Sequence, residues 1–342
     1  MAPAVRLAAD VEQALSDGGP VVALETAVVT AGLPKHPLED PPTWLPDGWC
    51  DSEPVNLETA RAQARSVRSS GATPALIAVI DGELRIGLHD DELERLARDP
   101  VAGKASTTDL AHVIESGESA GTTVSATLLA CQRATPRPIQ VFATGGIGGV
   151  HRHWTARPDI SADLRALASS AVCTVCAGAK SMLDLPATLE ALETLGVPIL
   201  GFGTAQFPRF YSPGAASLPP IPRVDSAEAI ARRCLRHWDG LGLTTSMLVT
   251  QPVPAPHAID GDEIEMLIEQ AEHAARNAGR SGSQRTPFVL SELARLTGGR
   301  SLYTNIALLL NNAELAARIA GELVMGSDPA GSSPAPIARL HR

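Results

Sequence analysis

Residues 171–203 read AVCTVCAGAKSMLDLPATLEALETLGVPILGFG. The apolar runs 171–177 and 197–203 have the character of buried strands. Between them, residues 185–195 have helical character, with Pro186 tolerated in a first turn. Strand, helix and strand within about 30 residues make a βαβ unit. That unit predicts a parallel strand pair joined by a right-handed crossover. Ligands of such sheets gather beyond the carboxyl ends of the strands, and Lys180 stands just past the first of these two.

The same alternation extends outward. Residues 21–29 (VVALETAVV), bounded by Gly19-Pro20 and Gly32, read as a buried strand, and 56–69 as a helix. ALIAVI (75–80) and ELRIGL (83–88) flank Asp81-Gly82, a strong hairpin signal. Helical character returns at 92–97, 108–115 and, behind a Gly-Thr loop, in 121–131. The short strand at 139–144 (IQVFAT) runs into Gly145-Gly146-Ile147-Gly148-Gly149, a backbone free to turn tightly or approach a ligand. The last third is helical at 262–278, 287–297 and 301–323. Two segments interrupt the pattern: 34–54, rich in proline and carrying Trp44 and Trp49, and the Pro/Ala/Ser loop 215–222. The pattern defines an α/β protein.

Composition narrows the function classes. The chain has 342 residues, enough for two domains or one large one at ~150 residues per domain. Its net charge of −10 argues against a nucleic-acid polymer as partner, which would need a basic face. No apolar run approaches the ~20 residues of a bilayer span, so no membrane role is expected. The N-terminus lacks the basic and apolar regions of a signal peptide. Cys50, Cys131, Cys173, Cys176 and Cys234 form an odd, scattered set that suits a reducing cytoplasm rather than a disulfide framework.

Few residues carry chemistry on local grounds alone. Gly146-Ile147-Gly148-Gly149-Val150-His151 lacks the third glycine of a dinucleotide fingerprint. Cys173 and Cys176 have no second pair to complete a zinc site, and read as buried strand cysteines. Lys180, at the edge of a buried strand, is either a lysine reaching solvent or an amine whose lowered pKa lets it attack a carbonyl carbon. Glu25, inside an apolar strand, is either paired structurally or held protonated for acid work. Asp159 and Asp163 would share a face if their segment is helical, as oxygen ligands for a hard cation; the alternative is helix capping.

Taken together, GTTVSAT (121–127), VFATGGIGGVHR (141–152), DISADL (159–164), VCAGAKS (175–181), LETLGVPILGFGT (192–204), FPRFY (207–211), TPFVL (286–290) and SLYTNIAL (301–308) closely resemble the pseudouridine-5′-phosphate glycosidase family, also called the indigoidine synthase A-like family. The resemblance runs in the same order over about residues 5–325. It implies a single three-layer α/β/α domain over residues 1–325, built on a mixed, largely parallel sheet, with 326–342 as a flexible tail. It also implies a cytoplasmic homotrimer with one manganese ion (Mn2+) per subunit. The activity implied is a carbon–oxygen lyase type of C-glycosidase. Such an enzyme reversibly cleaves the carbon–carbon bond between uracil and ribose 5-phosphate.

Carried over by motif, the nucleophile falls on Lys180, the proton donor on Glu25 and the metal-binding residue on Asp159. Ser161, Ala162 and Asp163 follow as substrate contacts, with Asp163 sharing proton work. Lys104 and Val124 match two more contacts, and His151 and Asn305 match polar positions near the site. The residue types suit the chemistry: a C-nucleoside has no leaving oxygen to protonate between two carboxylates. A lysine imine at C1′ of the opened sugar is instead an electron sink from which a carbon nucleophile can depart.

The chain departs from the family pattern at four positions and one segment. Ala27 stands where a hydroxyl is usual, Ala31 where a histidine is usual, and Thr107 and Thr108 where two arginines are usual. Residues 38–53 look like an insertion. Loss of polar groups near Glu25 beside two added tryptophans predicts either a stacking surface for a flat ligand or a loop tucked onto its own domain. Two further functions stay open: a C-glycosynthase joining ribose 5-phosphate to an aromatic natural-product aglycone, and an inactive homologue acting as a binding partner.

Overall fold

The structure, a computed structural model, describes residues 5–152, 154–155, 158–280 and 285–326, with backbone alone for 285–287. Of the expected tail, 326–342, Gly326 instead ends the last helix, and 327–342 lie outside the described residues. The strands are β1 (Val5–Leu7), β2 (Val21–Glu25), β3 (Thr73–Ile80), β4 (Glu83–Ile86), β5 (Gly103–Ala105), β6 (Ala120–Thr122), β7 (Val141–Ala143), β8 (Cys173–Cys176), β9 (Ile199–Phe202), β10 (Arg223–Val224) and β11 (Met247–Thr250). The helices are α1 (Ala9–Ser16), α2 (Ala27–Ala31), α3 (Val55–Ser69), α4 (Asp90–Arg98), α5 (Leu110–Glu115), α6 (Val124–Arg133), α7 (Ala162–Leu167), α8 (Leu185–Thr194), α9 (Ala227–Leu235), α10 (Gly261–Asn277), α11 (Arg285–Leu296) and α12 (Arg300–Gly326).

One mixed sheet carries all the described strands, in the order β1-β4-β3-β2-β7-β8-β11-β9-β10, with β6 pairing β3 and β5 pairing β6. From β3 to β10 every neighbour on that path is parallel. The antiparallel pairs are β3–β4 and β3–β6. The β3–β4 hairpin turns at Asp81 and Gly82, both at positive φ (49° and 77°), as the Asp-Gly signal predicts.

The period-two pattern of the central strands sorts their side chains onto two faces. Ala23, Ile77 and Phe142 pack into one apolar core with α1, α6, α7, α8 and α10. Leu24, Leu76 and Val141 pack into the other with α3, α4 and α9. Helix α12 serves both: Ile306 and Leu309 belong to the first core, Leu315 and Ile319 to the second. Helices therefore cover both faces, as a largely parallel sheet requires.

Two local expectations change. The run 21–29 is not one strand: β2 ends at Glu25 and the chain turns at once into α2, so Glu25 sits at a strand terminus rather than mid-strand. The unit 171–203 does form strand, helix and strand, with Asp184 capping α8 through Ala187 N at 3.0 Å. However, β8 and β9 are not neighbours. The unremarked strand β11 inserts between them and is parallel to both. Pairing depends on which apolar run packs into the gap, and that competition is tertiary.

Candidate active site

The carboxyl ends of β2, β7 and β8 meet at one cavity. Glu25 closes β2, Gly145 and Gly146 follow β7, and Lys180 stands on the loop after β8. Lys104 enters from β5 and Asn305 from α12, and Phe210 and Tyr211 supply an aromatic wall. These two rings stack edge-on, with centroids 4.8 Å apart.

The lysine loop is held in place by backbone. Gly178 has φ +86°, and a Cβ there would lie 2.1 Å from the Pro208 carbonyl oxygen, so only glycine lets the chain turn. Lys180 N donates to the Ile147 carbonyl at 3.1 Å, and Phe210 N to the Ala177 carbonyl at 3.0 Å. Ser181 Oγ donates to the Arg209 carbonyl at 2.5 Å. The loop is thereby stitched to the glycine run on one side and to the aromatic segment on the other.

Glu25 is 8% exposed. Burial pushes its carboxyl above the usual carboxylate range; Lys180 pulls it down most, then a hydrogen bond from the Thr144 hydroxyl, while Asp163 pushes it up and Lys104 pulls it down. The net direction is upward, so the site favours a protonated acid. Burial lowers the pKa of Lys104, and the like charge of Lys180 lowers it further, against Asp163, Glu25 and Asp109. Four charged side chains thus act on one another at this centre.

Asp163 is 5% exposed and fully engaged: Oδ1 accepts from Ser125 N at 3.0 Å and Oδ2 from Gly148 N at 2.8 Å. A Cβ on Gly148 would lie 2.3 Å from Ser161 Oγ, which explains the glycine. Ser161 caps α7, accepting from Asp163 N at 3.2 Å. The capping alternative therefore holds for Ser161. The shared-face alternative does not: Asp159 precedes the helix and is exposed, whereas Asp163 is buried.

Of the residues expected at the site, Glu25, Lys104, Lys180 and Asn305 line the cavity. Asp163 reaches it through charge. Val124, His151, Asp159, Ser161 and Ala162 stand outside its lining. His151 N donates to the Asp159 carbonyl at 3.0 Å. The tryptophans of the insertion also stand outside the lining: Trp44 packs 4.2 Å from the His257 ring and edge-on to Tyr303. The tucked-loop expectation holds for Trp44, and the stacking surface at the site is withdrawn. Ala27 and Ala31, by contrast, do line the cavity.

Sequence reasoning missed Thr144, Phe210 and Tyr211. The motifs VFATGG and FPRFY contained them, without a spacing that assigns a role. It also missed a buried relay behind Thr144. Asn312 Nδ2 donates to the Thr144 carbonyl at 2.8 Å, and Gln251 Nε2 donates to Asn312 Oδ1 at 3.0 Å.

Among the described residues no three His, Cys, Asp or Glu side chains come together as a metal cage. Asp159 alone does not make a closed metal site. Cys173 and Cys176 are buried and free, in line with the strand reading. No described helix is long and apolar enough to cross a membrane.

Fold and site together define a class: α/β proteins with a charged cavity beyond the carboxyl ends of the parallel strands of a mixed sheet, where such folds seat their ligands. Residues 50–322 match the family described as "Indigoidine synthase A like protein". The chain is 46% identical to the pseudouridine-5′-phosphate glycosidase of Methylobacterium nodulans, over 98% of this chain and 96% of that one. It is 43% identical to the enzyme of that name from Caldanaerobacter subterraneus, over 93% and 96%. A crystal structure of the prealnumycin C-glycosynthase AlnA in complex with ribulose 5-phosphate superposes with a TM-score of 0.79 at 33% identity, covering 94% of this chain and 97% of that one. An indigoidine synthase A-like protein of Thermotoga maritima superposes with a TM-score of 0.78 at 34% identity, covering 94% and 96%. The chain belongs to the indigoidine synthase A-like family.

Proposed function

We propose that the chain is a pseudouridine-5′-phosphate glycosidase, interconverting pseudouridine 5′-phosphate plus water with uracil plus ribose 5-phosphate. The observation that carries this reading is the meeting of Lys180 with a buried Glu25, whose carboxyl burial pushes above its usual range, in one cavity, in a chain 46% identical to a glycosidase of that name.

In the cleavage direction Glu25 gives its proton as the sugar ring opens. The Lys180 amine adds to C1′ as the bond from C1′ to the ring oxygen breaks; its nitrogen lone pair then forms an imine at C1′ while the base carbon leaves with the bonding pair of the carbon–carbon bond. The departing base carbon takes a proton, and water releases the imine as ribose 5-phosphate. Lys104 offers positive charge to the phosphate end, and Asp163 adds to the upward push on the Glu25 carboxyl and holds the glycine run through Gly148 N. Val124, His151, Ser161 and Ala162 are assigned to the shell behind these groups. Manganese at Asp159, a homotrimer and a cytoplasmic home belong to the same proposal; an ion there would keep most of its ligands as water.

The test is direct. Uracil release from pseudouridine 5′-phosphate is followed by ultraviolet absorbance. Ribose 5-phosphate with borohydride should leave a single reduced adduct on Lys180 by peptide mass spectrometry. No turnover and no adduct would leave an inactive homologue. Light scattering at three times 35.6 kDa would support the trimer, and manganese electron paramagnetic resonance with Asp159→Ala tests the ion.

A further inference from the structure

A second cavity adjoins the first. It shares Ala31, Gly32, Tyr211, Leu290 and Asn305 with it, and extends between the segment after α2 and the α11–α12 hairpin. Its remaining lining includes Leu33, Pro34, Ala294 and Leu302, with Ser291 and Ser301 at its edges. Lys104, Lys180 and Glu25 line only the first cavity. An anionic sugar phosphate is therefore drawn to the lysines, which leaves the shared end for the base.

Two observations mark the shared end as a place for a ligand. Asn305 is 6% exposed, lines both cavities, and its Oδ1 has no partner among the described residues; a buried acceptor left so is costly unless a ligand donor meets it. The junction is also lined by small residues. Gly32 presents no side chain there, and a Cβ on it would meet Val28 of α2, at 2.9 Å from Val28 Cα. Ala31 beside it projects only a methyl group.

We propose that this annex is a specificity subsite which admits an uncharged aromatic substituent on the base, so that the enzyme works on C-ribosyl 5-phosphates of aglycones larger than uracil. The inference rests on the glycosidase reading above and deepens it. In the synthetic direction, C5 of the base bonds to C1′ of ribose 5-phosphate. The C5 proton and the C1′ oxygen leave together as water, so no oxidant or further reactant is needed. The bond-making atoms stay at Lys180, and the substituent lies past Asn305 among Leu33, Leu302 and Ala294.

The experiment supplies ribose 5-phosphate with uracil, or with uracils carrying a benzyl group at N1, N3 or C6, and reads C-ribosylated product by mass spectrometry. At least one benzyluracil should react within tenfold of uracil. Ala294→Phe, which fills the annex at a residue that lines it and not the first cavity, should lower that reaction tenfold or more and leave uracil within threefold. Ser291→Phe, at an exposed helical position, should act in the same direction if Ala294→Phe folds poorly. Uracil turnover with every benzyluracil at least a hundredfold slower overturns the annex and leaves the glycosidase reading standing. A benzyluracil reaction untouched by either filled variant overturns it too. No turnover of any base overturns both.

Discussion

The Thr144 hydroxyl donates to Glu25 Oε1, and so a strand-end hydroxyl from β7 holds the buried acid at the end of β2. Thr144 is itself held: its carbonyl accepts from Asn312, and Asn312 from Gln251. The Glu25 carboxyl is thus oriented by a buried chain that runs from the end of β11 through α12 to the end of β7. The hydrogen bond favours the carboxylate and works against the burial that raises its pKa.

Replacing Thr144 by valine keeps volume and removes that donor. The alkaline limb of the kcat/KM profile for pseudouridine 5′-phosphate cleavage should move up by about one unit, the worth of one hydrogen bond to a charged group. Activity at neutral pH should fall roughly tenfold through lost orientation. An unmoved limb would detach Thr144 from the acid.

Asp163→Asn should move the same limb the other way. Asp163's charge raises the Glu25 pKa, so its neutralisation lowers it. The amide can accept from only one of Ser125 N and Gly148 N, and the other donor then faces an NH2 group. That mismatch should cost ~1–3 kcal/mol in chemical denaturation.

Glu25→Gln should abolish proton donation, with kcat down about 10²–10⁴-fold. Its stability effect has a definite sign. A carboxyl whose folded pKa is raised binds its proton more tightly folded than unfolded, so wild-type stability falls as pH rises from the ordinary carboxylate pKa through the folded value. Glutamine carries no such penalty. The variant should therefore gain stability relative to wild type across that window, and urea melts at acid and neutral pH read the difference.

Gly178→Ala should destabilise by ~3 kcal/mol, since positive φ and collision with the Pro208 carbonyl act together. A thermal melt within 1 °C of wild type would contradict the geometry of the lysine loop.

Thiol labelling of the native protein should modify Cys50 alone at first. Cys50 is exposed, whereas Cys131, Cys173, Cys176 and Cys234 are buried. Burial pushes the Cys176 thiol up to about 12 and the Cys131 thiol up as well. Intact mass with iodoacetamide should show one fast adduct, and four more only on unfolding.

The sequence by itself determined the α/β class, the Asp81-Gly82 hairpin, the three C-terminal helices and the position of Lys180 past a strand end. These follow from periodicity and turn chemistry, which act over a few residues, and the ordered motifs from 121 to 308 carried the family. Glu25 was legible as a charge in an apolar run, but not its place at a strand terminus: a run with two valines after the glutamate reads the same whether β2 continues or α2 begins. Only the tertiary structure decided that β11 separates β8 from β9, that Trp44 packs on His257 rather than at the site, and that Asp159 and Asp163 part company. It alone joined Thr144, Asn312 and Gln251 behind Glu25. Strand order, burial and hydrogen-bond partners depend on residues distant in the chain competing for one place. Local pattern names the competitors, and only packing chooses among them.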